Sequence, residues 1–355
     1  MQYIQIGYGN IAPLHIKKLQ KLGATVIGVI ETNTINQQRA IQDGFQIIPS
    51  YFKAAEYKPD FWDICTPTDN HLDALKSIIL TQPNAAIIIE KPVCHYTQLD
   101  ELKLILSTYS GKLVVNENYF SSRISSMIKA IVCKQGISIK NISIEMSKNR
   151  LNDFKRGRFI DTEFGAIGYE GPHMLALCYQ LGREFLPKNI LNIEDVDLYI
   201  PFTANGCFLA GQSSSLIHYQ AHNDVSVELY TSLEGHVRNH LPIIYGLPQL
   251  PKQLHGQQRH RIMSIKGINT AGDNINIIGL HEPILGCKRA QGIVAVEKNG
   301  ICQVIHRPLF DDSMYLHLHR TLKYFQGQGK NPTSIQVAVD IVKSLGEFCH
   351  AKELA

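Results

Sequence analysis

The chain has 355 residues, 44% of them hydrophobic and 19% charged, and 35 Lys and Arg against 31 Asp and Glu give a formal net charge of +4. That length suits about two domains, each able to bury its own core, and the composition is that of an ordinary globular protein, so a small scaffold held by staples is excluded. A basic excess this small and dispersed does not make the cationic footprint that a phosphate backbone requires, so nucleic acid is not an expected partner.

The first element is a short apolar strand, Tyr3-Ile4-Gln5-Ile6, followed by Gly7-Tyr8-Gly9-Asn10-Ile11-Ala12 and a helical stretch from Pro13 to Leu22 with Leu14, Leu19 and Leu22 on one side. A second strand, Thr25 to Ile30, ends at Glu31, 19 residues beyond Ala12. Strand, glycine turn, helix and a carboxylate at this distance form the dinucleotide fingerprint. Gly7 permits the turn, Gly9 lets a pyrophosphate approach the backbone beside Asn10 and Ile11, and Ala12 lets helix and strand pack closely. The phosphates then meet the positive N-terminus of the helix. Glu31 suits the two free ribose hydroxyls of NAD and repels the extra phosphate of NADP, although Thr32, Asn33 or Arg39 can soften that discrimination.

Strand and helix continue to alternate: Phe61 to Cys65, Asn70 to Leu80, Ala85 to Ile89, Leu99 to Ser107, and Leu113 to Val115. This predicts a parallel sheet covered on both faces, with ligands beyond the C-terminal strand ends. Three polar clusters fall there: Thr66-Pro67-Thr68-Asp69-Asn70-His71, Glu90-Lys91-Pro92, and Asn116-Glu117-Asn118-Tyr119.

With the glycine motif and its neighbour His15, with Thr66-Pro67 and His71, with Glu90-Lys91-Pro92, with Glu117-Asn118-Tyr119 and with a segment around His173, the sequence resembles the glucose-fructose oxidoreductase, inositol dehydrogenase and rhizopine-catabolism (Gfo/Idh/MocA) family over nearly its whole length. The resemblance implies an N-terminal α/β Rossmann domain, residues 1–120, that binds NAD. It implies an α+β domain, residues 121–332, with a large open, mostly antiparallel sheet that supplies the substrate wall and the homodimer or homotetramer interface. Residues 333–355 are expected to form a C-terminal helix packing back on the core. By the same resemblance Gly7, Gly9, Asn10, Ile11, Glu31, Thr66, Pro67, His71, Glu90, Lys91 and Asn118 bind cofactor, and Lys91 is catalytic. A lysine there stabilises the alkoxide formed as hydride leaves a secondary alcohol.

Gly165 to Leu175 resembles the family segment in which an aspartate stands four residues before a histidine. His173 matches the histidine, whose neutral imidazole suits a general base. Tyr169 occupies the aspartate position, the nearest carboxylate is Glu170, and Ala176 replaces a later aspartate. Positions three and four apart share a helix face, so either Tyr169 or Glu170 can orient His173 or relay its proton. Tyr119, Arg150, Arg158, Lys91 and His173 are the candidate substrate contacts. Lys148 to Arg158 carries five cations in eleven residues, suited either to a phosphate or carboxylate on the substrate or to a solvated loop.

Strand-like runs follow at Ser213 to Tyr219, Val225 to Thr231, Gln258 to Lys266, Ile275 to Gly279 and Gly292 to Lys298, and fit an antiparallel sheet. The His218/His222 and His236/His240 pairs are not ligand patterns on strands, so no metal is expected. His317 reads as a surface residue more readily than as a pocket residue, and Ser334 to Ala351 reads as a helix. The eight cysteines include no CxxC pair and read as reduced thiols of a cytoplasmic protein. No signal peptide precedes the first strand, and no apolar run approaches the roughly 20 residues that span a bilayer, so a membrane is not an expected partner. The reading is an NAD-dependent dehydrogenase that oxidises a secondary hydroxyl of a sugar, sugar phosphate or cyclitol. Its alternatives are an NADPH-dependent imine or unsaturated-ring reductase and a non-catalytic NAD-binding sensor or scaffold.

Overall fold

Short apolar, β-branched runs bounded by Gly, Asn and Asp build the first half of the chain. The computed structural model describes residues 1–155, 165–195, 203–204, 207–208, 213–239, 247–304 and 308–353. In chain order its first elements are β1 (Gln2–Ile6), α1 (Ala12–Lys21), β2 (Thr25–Ile30), α2 (Thr34–Gln42), α3 (Tyr51–Ala55), β3 (Phe61–Ile64), α4 (His71–Thr81), β4 (Ala86–Ile89), α5 (Leu99–Leu106) and β5 (Lys112–Val115). The five strands form one parallel sheet in the order β2-β1-β3-β4-β5. Side chains alternate across it. Ile4, Ile6, Trp62, Ile64, Ile87 and Ile89 pack with Leu75 and Ile78 of α4 on one face. Tyr3, Phe61 and Ile88 pack with Ile16 and Leu19 of α1 on the other. Each fully buried leucine or isoleucine contributes about 1.5–3 kcal/mol, which is why these strands read as continuous apolar runs.

The buried face of α1 differs from the sequence expectation. It consists of Ala12, His15, Ile16 and Leu19, while Leu14 is 49% exposed. His15 takes an inward position because buried carboxylates satisfy it.

The chain continues through α6 (Arg123–Lys134), β6 (Ser138–Lys148), α7 (Leu151–Lys155), α8 (Ala166–Leu181), β7 (Pro187–Asp195), β8 (Thr203–Ala204), β9 (Cys207–Phe208), β10 (Ser214–Ala221), β11 (Ser226–Ser232), β12 (Arg259–Ile268), β13 (Asn274–Leu280), β14 (Gln291–Lys298), β15 (Ile301–Val304) and β16 (Leu309–Phe310). A large sheet runs β15-β14-β13-β12-β6-β11-β10-β7, with β16 added beside β14. It is antiparallel except between β6 and β11, which run parallel from Asn141 opposite Ser226 to Ser147 opposite Ser232. The expected two-part architecture, a parallel sheet with helices followed by a mostly antiparallel sheet, is the one found.

Helices α9 (Ser313–Phe325) and α10 (Ile335–Glu353) complete the chain. Two compact units result. The first is Met1–Asn118 with Met314–Lys343, and the second is Tyr119–Ser313 with Ser344–Ala355. The chain is therefore back in the first unit at Met314, inside the 121–332 span expected for the second domain. Leu318 and Leu322 of α9 and Ala338 and Val342 of α10 belong to the first unit's core. His317 is fully buried in that unit, with Nε2 3.1 Å from the Val115 carbonyl, and burial brings its pKa down to about 4. This corrects the surface placement. Among the described residues no helix is long and apolar enough to cross a membrane.

Candidate functional site

At the end of β1 the chain turns at Gly7 with φ +81°. A Cβ there would stand 2.9 Å from the Cys65 carbonyl oxygen, whereas one on Gly9 would meet nothing within 4 Å. The first glycine thus makes the turn and the second leaves open space over the backbone. Ile11, at the start of α1, provides no side-chain cap, which leaves the helix N-terminus suited to an anion. Glu31 sits at the end of β2 with Oε2 accepting from Tyr8 N at 2.7 Å and Oε1 accepting from Thr32 N and Asn33 N at 2.8 Å each. Three backbone donors fix its charge beside the glycine turn. The Asn36 amide is 3.5 Å from Oε2. Across the sheet, Thr66 Oγ1 and Asn118 Oδ1 are buried with no hydrogen-bond partner among the described residues. Unsatisfied polar atoms at the C-terminal ends of parallel strands, beside a cradle that needs glycine, are what a dinucleotide site presents before its ligand binds. The residues present fit a nicotinamide dinucleotide.

His71 lies with Nδ1 2.8 Å from the Pro92 carbonyl and Nε2 3.0 Å from the Thr66 carbonyl. Both ring nitrogens face loop backbone, so His71 shapes the site by tying the Thr66-Pro67 and Lys91-Pro92 loops together. Burial lowers its pKa, so the neutral ring donates to one carbonyl at a time.

A buried polar network adjoins Lys91 in sequence through Glu90. His15 places Nδ1 3.0 Å from Asp63 Oδ2 and Nε2 2.8 Å from Glu90 Oε1, and the Asn116 amide donates to the same Glu90 oxygen. Burial opposes charge on His15, yet Asp63 and the neighbouring groups raise its pKa well above the usual value. Burial likewise works against charge on Glu90, but the hydrogen bond and charge of His15, the Asn116 amide and the charge of Lys91 bring it down to about 2. Asp63, His15 and Cys65 cluster closely enough to suggest a metal site. An imidazolium held by two carboxylates offers no lone pair, however, and burial pushes the Cys65 thiol up to about 12. His15 with Asp63 and Glu90 is an ion-pair network, and Cys65 stands beside it as a neutral thiol.

Lys91 follows Glu90 directly, at the cis Lys91–Pro92 peptide. Its charge acts on Glu117, a buried carboxyl that burial raises to about 7 against the pull of Lys91 and with the push of Glu90.

In the second unit, α8 carries Tyr169, Glu170 and His173 around an internal Pro172. His173 meets the Tyr119 ring edge on, with centroids 5.0 Å apart. Glu170 is 4% exposed and is engaged by arginines, with Oε1 2.5 Å from Arg150 Nη2 and Oε2 3.8 Å from Arg261 Nη2. The Tyr169 ring packs on Phe154 at 5.9 Å and lies beneath the Arg150 guanidinium at 5.2 Å. Arg158 lies outside the described residues.

Residues 1–117 match the family model described as oxidoreductase family, NAD-binding Rossmann fold, of the Gfo/Idh/MocA type. The first 117 residues are a Gfo/Idh/MocA nucleotide-binding domain. Solved structures resemble the chain along its whole length. One, provisionally assigned as an NADPH-dependent oxidoreductase of Desulfitobacterium hafniense, is 10% identical with TM-score 0.72, over 99% of this chain and 96% of the other. UDP-N-acetylglucosamine 3-dehydrogenase of Acidithiobacillus ferrooxidans is 13% identical with TM-score 0.66, over 98% and 96%. A protein from gentamicin A biosynthesis, solved with NAD, is 12% identical with TM-score 0.66, over 98% and 92%. Identities this low establish the fold alone. No curated protein sequence matches the chain.

Within the Gfo/Idh/MocA domain the sequence reading did not single out Glu117 as a titrating group or Asp63 as the partner of His15. A carboxylate inside the apolar run Phe61-Trp62-Asp63-Ile64 was the available signal for the second. In the other unit it passed over Arg259, Arg261 and the His281–Asp311 pair, which no motif marks.

Proposed function

We propose that the protein is an NAD-dependent dehydrogenase that oxidises a secondary hydroxyl of a sugar, sugar phosphate or cyclitol. The observation that carries this reading is Glu31, held by three backbone N–H groups beside the glycine turn, where a carboxylate accepts ribose hydroxyls and repels a 2′-phosphate. Bound NAD supplies the hydride acceptor. Lys91 supplies the positive charge that favours the substrate alkoxide. His173 accepts the hydroxyl proton as a neutral imidazole, held in orientation by the Tyr119 ring. Glu170 serves as a positioning residue, because its carboxylate is bound to Arg150 and faces Arg261. Gly7, Gly9, Asn10, Ile11, Thr66, Pro67, Asn118 and the loops tied by His71 complete the cofactor site. The reading includes a cytoplasmic homodimer or homotetramer.

Arg39 supports a second reading. Its guanidinium lies over the Tyr8 ring at 5.9 Å, one turn of α2 from Glu31's neighbours, and offers a cation to the 2′-phosphate of NADPH in an imine or ring reductase. The test is NADH formation from NAD, and oxidation of NADPH, across matched sugars, cyclitols and their phosphates, with Lys91→Ala alongside. Turnover with NAD that falls at least 100-fold in the variant supports the dehydrogenase. NADPH oxidation with an imine or enone and no reaction with NAD overturns it.

A further inference from the structure

One face of the large sheet collects more positive charge than its partners neutralise. Arg259 and Arg261 are two apart on β12, so they point the same way. Lys148 of β6 stands directly opposite Arg259, and the backbone N–H of His281 bonds the Arg261 carbonyl at 2.9 Å from the other side. Lys148 and Arg150 share Asp153 at 2.6 and 3.4 Å, and Arg150 and Arg261 share Glu170. Arg261 also donates to the Glu282 carbonyl at 3.3 Å and feels that residue's charge. Among the described residues four cations therefore meet three carboxylates. The remaining charge resides on Arg259, whose side chain makes no hydrogen bond or ion pair among the described residues. The charge of Arg261, followed by burial, brings its pKa down to about 10. Like charges in adjacent registers destabilise a sheet, so this arrangement stands to gain from an anion.

The same two arginines line a half-open pocket with an apolar wall of Leu250, Leu280 and Ile284, and with His281 at its side. His281 is 2% exposed. Its Nδ1 lies 3.6 Å from Asp311 Oδ2, Asp311 in turn accepts from Ser122 Oγ and Arg123 N at 2.9 and 2.6 Å, and the His281 ring meets Tyr119 edge on at 5.1 Å. Its Nε2 is buried with no partner among the described residues. The residues lining the pocket thus include an arginine that makes no ion pair among the described residues, a histidine with an unsatisfied ring nitrogen, and several apolar residues. Such a set recognises a ring that carries an oxyanion.

We propose that this pocket holds an oxyanion substituent of the substrate, a phosphate or a carboxylate, on Arg259 and Arg261, with His281 Nε2 bonded to a neighbouring hydroxyl. The assignment rests on the dehydrogenase reading insofar as the occupant is called substrate. It narrows that reading to anionic sugars or cyclitols.

Calorimetric titration of the NADH-loaded protein with a hexose, its 6-phosphate, the matching hexuronate and a UDP-hexose tests it, with Arg259→Gln and Arg259→Lys in parallel. At least one anionic ligand binds about 100-fold more tightly than its neutral counterpart, as expected for charge-assisted bonds in a partly desolvated site. Arg259→Gln removes that preference, and Arg259→Lys restores only part of it because an ammonium lacks the planar fork. The 6-phosphate and the hexuronate distinguish phosphate from carboxylate. Because Arg259 repels its neighbours, the Gln variant melts no lower than the parent protein, which separates lost binding from lost folding. Equal affinity for neutral and anionic ligands, binding of none of them, or an unchanged preference in Arg259→Gln overturns the proposal. Failure of the dehydrogenase reading is recognised separately, as anionic ligands that bind in an Arg259-dependent way while no NADH forms.

Discussion

An imidazole sealed from water between two carboxylates keeps its proton, because either neutral tautomer sets a ring-nitrogen lone pair against a carboxylate oxygen. His15 is in that position between Asp63 and Glu90. His15→Phe leaves Asp63 and Glu90 buried without the cation that bridges them, and we expect it to lower the stability of the first unit by about 3–5 kcal/mol, read from urea unfolding followed by Trp62 fluorescence. The pH dependence follows from the directions of the shifts. Glu90, depressed to about 2, contributes stability that is present above its unfolded value near 4.5 and lost as pH falls through 2. His15, raised, contributes stability that is fully present below about 6.5 and lost only as pH rises through its elevated folded value. Glu117 is a carboxyl shifted upward, to about 7. The folded protein keeps its proton where the unfolded chain releases it, so stability falls as pH rises from 4.5 past 7. Glu117→Gln removes that dependence. The difference in unfolding free energy between variant and parent is therefore expected to grow between pH 5 and 8 to about 3 kcal/mol in the variant's favour; a difference independent of pH contradicts the assignment.

The glycine turn gives a sharper contrast at the scale of one element. Gly7 has positive φ and faces the Cys65 carbonyl, while Gly9 has neither constraint and faces open space. Gly7→Ala is therefore expected to unfold at lower denaturant, by about 1–3 kcal/mol. Gly9→Ala is expected to melt like the parent yet bind NADH at least 10-fold more weakly, because its methyl occupies the space reserved for the pyrophosphate. Calorimetry and thermal melts on both variants check the pair, and equal NADH affinity in Gly9→Ala and parent removes the phosphate-cradle assignment. The turn was legible in the sequence because it is local: spacing, small residues and one carboxylate carry it. The alternating strands of the first sheet were legible for the same reason. The inner face of α1 was misread because Leu14 looks buried and His15 does not, and only Asp63 and Glu90, 48 and 75 residues away, reverse that ranking. Arg259 and Arg261 were invisible for a related reason. An Arg-His-Arg run on a strand reads as a polar edge until register places Lys148 opposite it and Glu170 above Arg150 and Arg261.

The first unit is discontinuous in sequence. The family resemblance carries the second domain to residue 332 and so leaves α9 in it, with His317 read as a surface residue. By contact, α9 and the first part of α10 are core. Leu318 and Leu322 join one side of the parallel sheet and Ala338 and Val342 the other. Strand β5 is bound to this returning segment along its length. Lys112 Nζ donates to the Tyr324 and Phe325 carbonyls at 3.0 Å each, Asn331 Nδ2 donates to the Leu113 carbonyl at 2.9 Å, and His317 Nε2 faces the Val115 carbonyl. Lysine at the last carbonyls of α9 also complements the helix dipole. Residues 1–118 alone lack these partners and expose the side chains that four buried aliphatic residues cover. Removing that burial withdraws several kcal/mol from a domain whose whole stability is about 5–15 kcal/mol. The isolated 1–118 segment is therefore expected to show no cooperative melt and no NADH binding, although it spans the whole family match. The same segment joined by a short linker to residues 314–343 is expected to regain both. Cooperative unfolding and NADH binding by residues 1–118 alone, read by circular dichroism and calorimetry, would establish instead that α9 and α10 are attachments to a self-sufficient nucleotide domain.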